Sequence, residues 1–259
     1  MTDAKASRMV SDRLAITNTV VSSINIHGPE VAPVLEKLLF PDGVPPNLTV
    51  AGVLVALGAH LQARATALVN ADRTHTTELA DDDGYRRTRD ENLVAVREFM
   101  SALRSGLAQN YGATVAAAYG LGGSIPEEPA TVLTLAGHVE QFLRTRPLVE
   151  TPKNKSLKID PTLAADELQS LANALKTALS DVDREKREAQ LTQAAKNDAM
   201  AAWGTSYSGV ADAAAAFYVL GGRPELAERV RPTARRRAGL VEPEDAGQGT
   251  EAPPARNGT

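Results

Sequence analysis

The chain has 259 residues, no cysteine, 43% hydrophobic and 23% charged residues, and a formal charge of −4. That length suffices for a sizeable core, and the missing cysteine excludes a disulfide scaffold, thiolate metal sites and a cysteine nucleophile. Only ten residues are aromatic, so a core must be built mainly from Ala, Leu and Val.

The opening stretch, MTDAKASRMVSDRLA, is polar and mixed in charge. It lacks the basic start and the run of roughly 7–15 apolar residues that a secretory signal needs. The most apolar window, VAGVLVALGA at 50–59, falls short of the ~20 residues of a spanning helix. A cytoplasmic location without stable membrane insertion is therefore expected. The excess of 20 Arg over 8 Lys, together with abundant Ala, points to a GC-rich bacterial genome.

Helical spacing predominates from the start. Met9, Leu14, Ile16, Val20 and Ile24 predict a first helix over 4–26, stopped by His27, Gly28 and Pro29. A short helical segment follows at 30–40, and the PDGVPP run at 41–46 enforces a loop. From Leu48 a stripe of Val50, Leu54, Leu57, Leu61 and Leu68 forms, with Asn47 and Thr49 as candidate N-caps. The DDDG run at 81–84 is a candidate break. Beyond it, Leu93, Val96, Met100, Leu103 and Leu107 step three and four residues apart, a heptad seam closed by Tyr111 and Gly112.

A loop around 119–126 leads to a helix over 127–144, with Val132, Leu135, Val139 and Phe142 expected inward. Residues 146–159 carry two prolines and three lysines and read as an exposed connection. Asp160 and Pro161 form an N-cap and first-turn pair. No further proline occurs before Pro224, so one helix is predicted over 161–220, stopped by Gly221 and Gly222. Residues 239–259 are rich in Pro, Gly, Glu and Asp and are expected to be disordered. The fold class is all-α: an elongated antiparallel helical bundle with long coiled-coil-like helices, a single domain over 1–238 and a tail over 239–259.

Catalytic patterns are missing. There is no HExxH, no Glu-x-x-His pair of the di-iron kind and no GxxxxGK[ST]. His75 and Glu78, three apart, read as solvated surface. Gly120, Gly122 and Gly123 follow a helix and not a strand, which denies a dinucleotide turn its scaffold. Gly204 and Gly209 flank two serines without the GxSxG spacing, and read as small residues that let another helix approach. No metal, cofactor or catalytic residue is assigned, and a non-enzymatic protein is expected.

Two features stand above this background. Trp203, Tyr207, Phe217 and Tyr218 gather four of the ten aromatics within sixteen residues, as core or as a partner surface. Residues 223–237 hold six Arg against Glu225 and Glu228. Clustered guanidinium groups pair with carboxylates or phosphates. The candidate partner-binding residues are Trp203, Tyr207, Tyr218, Arg229, Arg231, Arg235, Arg236 and Arg237. The leading expectation is a scaffold or assembly protein whose partner is itself, as a homo-oligomer, or another protein. The alternatives are a polyanion or nucleic-acid binder, which the acidic total charge disfavours, and a membrane-active helical protein.

Overall fold

The computed structural model describes residues 7–241. Among these, 81% are helical and no strand occurs, so the all-α reading holds. The helices are α1 (Arg8–Leu39), α2 (Val50–Asn110), α3 (Ala113–Ala118), α4 (Pro129–Thr145), α5 (Pro161–Leu220), α6 (Pro224–Val230) and α7 (Ala234–Arg237). A 3-10 turn over Lys155–Leu157 precedes α5. Of the expected tail, 242–259 lie outside the described residues. Its first residues, Gly239 and Leu240, close the α7 turn through N–H bonds to the carbonyls of Arg236 and Arg235.

Helix α5 has the limits that its signals predict. Asp160 Oδ1 accepts the N–H groups of Thr162 (2.8 Å) and Leu163 (3.3 Å), satisfying donors that the first turn leaves open. Helix α2 does not break at the DDDG run. It continues through 81–84, where Arg86 pairs with Asp82 one turn away and Thr88 Oγ1 donates to the Gly84 carbonyl.

Helix α1 also departs from expectation: it runs unbroken through His27, Gly28 and Pro29, with Pro33 inside it as well. Packing overrides the breakers. Ile24, Val31 and Leu35 are all buried on one stripe on either side of Pro29. Gly28 faces α2 here, where an added Cβ would stand in ordinary contact, 3.5 Å from Leu54 Cδ1.

The described residues form two compact units. The first takes residues up to 77 and from 190 onward, the second takes 78–189. In the first, α1, the early part of α2, the late part of α5 and α6 enclose a core that includes Ile24, Leu35, Leu54, Leu61, Leu68, Trp203, Tyr207 and Tyr218. Helices α2 and α5 run antiparallel there: His60 meets Ser206, Asp72 meets Lys196 and His75 meets Thr192, one number rising as the other falls.

In the second unit, the late part of α2, α3, α4 and the early part of α5 enclose a core with Val96, Met100, Leu107, Tyr119, Val139, Leu168 and Leu175. The inward face of α4 is Val132, Ala136, Val139 and Leu143. Phe142, expected inside, is 42% exposed and covers Gly120 instead. Ala136 and Leu143 complete the buried stripe.

Candidate interaction surfaces

The aromatic cluster of α5 lies inside the molecule. Trp203, Tyr207 and Tyr218 are buried in the first unit. Trp203 and Tyr207 stack with centroids 5.1 Å apart and planes parallel to within 1°. Trp203 Nε1–H donates to Thr17 Oγ1 at 2.9 Å, and the Thr17 hydroxyl donates to the Arg13 carbonyl at 2.9 Å. The Arg13 guanidinium is 5.4 Å from the indole centroid and donates to the Met9 and Ala238 carbonyls. Burial pushes the Arg13 pKa down, with Asp12 opposing it. The Tyr218 hydroxyl bonds Ser23 Oγ at 3.0 Å. These rings are core, with the polar edges of Trp203 and Tyr218 answered from α1, and they present no surface to a partner.

Within the arginine-rich segment Arg236 turns inward, while Arg229, Arg231, Arg235 and Arg237 stay exposed and pair along the surface. Arg236 is only 8% exposed, and its Nη1 donates to the carbonyls of Arg229 (2.6 Å) and Arg231 (3.4 Å). It satisfies the open carbonyl end of α6, which lacks intrahelical partners. Arg237 reaches Asp212 at 3.4 Å, Arg231 pairs with Glu228 at 3.0 Å, and Arg235 donates to the Val241 carbonyl at 3.2 Å. Arg229 is exposed, within electrostatic reach of Glu225. Among the candidate arginines, Arg231, Arg235 and Arg237 are exposed as well but hold these intrachain partners.

His75 is buried and not solvated as its polar neighbours imply: its Nδ1 meets Thr192 Oγ1 at 3.0 Å. Gly204 and Gly209 bring no helix of this chain close, since an added Cβ at either position meets nothing within 4 Å.

A carboxylate group in the second unit escapes any search for histidine-containing motifs. Glu78, Glu185 and Glu188 place oxygens within 4.8 Å of one another. Glu185 is buried, and Arg184 stands 3.4 Å from it and 3.8 Å from Glu188. The guanidinium, held over the Tyr85 ring at 5.9 Å, supplies the compensating charge that a cation would otherwise bring.

The exposed apolar surface is concentrated. No Asp, Glu, Lys or Arg occurs from 50 to 63, and from 52 to 69 only Leu54, Gly58, Leu61, Ala65 and Leu68 are buried. The outward face of this part of α2 is Gly52, Val53, Val55, Ala56, Ala59 and Ala63, with Val55 52% exposed. Within the same unit, Val50 N–H donates to Glu36 near the end of α1, and Gly221 after α5 packs against Val31. The ends of α1 and α5 and the start of α2 are therefore neighbours. Val34, Leu38, Leu39, Val44, Leu48, Val53, Val55, Val219 and Leu220 all lie there. They are nine of the eighteen exposed large hydrophobic side chains among the described residues. Large contiguous exposed apolar patches are uncommon on monomeric soluble proteins.

No family model, curated protein or solved structure matches this chain. By length and composition, α2 holds a segment apolar enough to cross a membrane, longer than the ten-residue window suggests, although its inward stripe is packed against α1 and α5.

Proposed function

We propose that the protein is a non-enzymatic helical scaffold that associates with a second copy of itself, or with another protein's apolar helix, through the exposed start of α2 and the adjoining ends of α1 and α5. The observation that carries this reading is the gathering of nine large apolar side chains around a charge-free helix face. Small residues at 52, 56, 59 and 63 on that face let a partner helix approach closely, and Val53 and Val55 supply apolar area. A polyanion partner has less support, because Arg231, Arg235, Arg236 and Arg237 are engaged inside the chain.

Light scattering at micromolar concentration is expected to give a dimer or larger oligomer. Leu38→Glu and Val55→Glu, both at exposed positions, should return it to monomer while leaving the far-UV circular dichroism unchanged. A strict monomer for the unaltered protein removes self-association. Retention of that monomer on anionic lipid vesicles would favour the membrane-active reading, which the apolar segment of α2 supports.

A further inference from the structure

The second unit contains a groove that rests on none of the surface just described. It is bounded by the last turns of α2, the connection at 153–159 and the first turns of α5, and encloses about 650 Å³. Sites for small molecules usually measure about 300–1,000 Å³. Phe99, Leu103, Ile159 and Leu163 provide an apolar lining. Leu163 is 68% exposed at the mouth and offers its side chain to a ligand there.

The walls are held in place before any ligand arrives. Asn110, buried at the end of α2, accepts the Asn154 N–H at 2.8 Å and donates to the Asn154 carbonyl at 3.3 Å. Its own carbonyl accepts the Lys153 N–H at 2.9 Å, and the Tyr111 hydroxyl accepts the Ile159 N–H at 3.1 Å. Gly106 allows the connection to come this close, since an added Cβ would sit 3.3 Å from Ile159 Cδ1. A preformed wall spares a ligand the ordering cost of binding.

The charge of the groove selects the ligand class. Lys153 and Lys158 line it, both exposed and neither with an ion-pair partner among the described residues, against the single acid Glu167. Two uncompensated ammonium groups beside an apolar floor complement a molecule with one anionic head and an aliphatic chain. We propose that this groove binds a small anionic amphiphile of the fatty-acid class, its chain on Phe99, Leu103, Ile159 and Leu163 and its carboxylate facing Lys153 and Lys158.

Calorimetric titration of the full chain with decanoate, decanol and decyltrimethylammonium, each below its micelle-forming concentration, tests this. Decanoate should bind saturably with one site per chain, and more tightly than the other two. Lys153→Ala with Lys158→Ala should weaken it about tenfold or more, because the head then loses its charge partners. Ala102→Trp, at an exposed position lining the groove, should abolish binding, and Val55→Glu in the first unit should leave it unchanged. If the tryptophan variant fails to fold, Leu163→Glu blocks the same mouth from an exposed position. No saturable decanoate binding overturns the proposal. So does equal affinity for the cationic amphiphile, insensitivity to the lysine pair, or loss of binding in Val55→Glu.

Discussion

Asp72 shows how much one side chain decides. It is 1% exposed on α2, and its carboxylate receives the Ser7 N–H (2.8 Å), the Ser7 hydroxyl (3.0 Å) and Lys196 Nζ (2.6 Å). Burial pushes its pKa up, and the bonds from Lys196 and Ser7 outweigh that, leaving it below the ordinary carboxylate range. The native state therefore binds the ionised form better than the unfolded chain does. Its stabilisation is complete above the unfolded value, about 3.9, and is lost as the pH falls through the depressed native value. The melting temperature should drop below about pH 4, and part of that drop should be missing in Asp72→Asn. Asp72→Ala leaves Lys196 nearly buried without its partner and should cost about 3–5 kcal/mol in denaturant melts. Thr17→Val removes the Thr17 Oγ1 acceptor of Trp203 Nε1–H and should cost about 1–3 kcal/mol, with a shifted tryptophan emission. Arg236→Ala uncovers the α6 carbonyls and should destabilise by a similar ~1–3 kcal/mol. The same change at the exposed Arg229 should stay within about 0.5 kcal/mol.

At the scale of the element, the two long helices differ in how their glycines are used. Gly28 and Gly58 lie at the contact of α1 with α2, where an added Cβ would stand in ordinary contact with Leu54 and Ile24 at 3.5 and 3.7 Å. Gly84 on α2 and Gly204 on α5 have nothing within 4 Å and no positive φ, so they carry only the entropic cost of a helical glycine. Gly84→Ala and Gly204→Ala should each stabilise the protein by roughly 0.5–1 kcal/mol in chemical denaturation. A loss of stability at Gly204 would show that this face is covered by a second chain, and would place an interface on α5. Gly239→Ala should do the reverse. Its φ is +76° and an added Cβ would stand 2.4 Å from Arg13 Cζ, so the substitution should displace Arg13 from Trp203 and lower the melting temperature.

Over the whole molecule, two apolar cores share α2 and α5. Large-to-small changes at buried Leu61 and at buried Met100 should each cost about 2–5 kcal/mol. Hydrogen exchange should localise each loss of protection to the core that holds the substitution, because local opening follows the contacts removed. Protection lost equally in both cores would mean that they open as one. Helical content and the course of α5 were legible along the chain. Each rests on local signals: apolar residues three and four apart, the Asp160–Pro161 start and the Gly221–Gly222 stop. Other decisions depend on residues far apart in number. Pro29 stays inside α1 because Val31 and Leu35 find a core beyond it, and His75 is buried because Thr192 lies opposite. Trp203 and Tyr218 of α5 are interior because Thr17 and Ser23 on α1 satisfy their polar edges and Arg13 covers the indole ring. The arginines read as a patch because their clustering is local, whereas the carbonyls and Asp212 that engage them are set by the return of the chain after α5. Periodicity along a chain tells which residues share a face of a helix. What that face meets is decided only when distant segments pack, since burial and pairing are properties of the partners as much as of the residue.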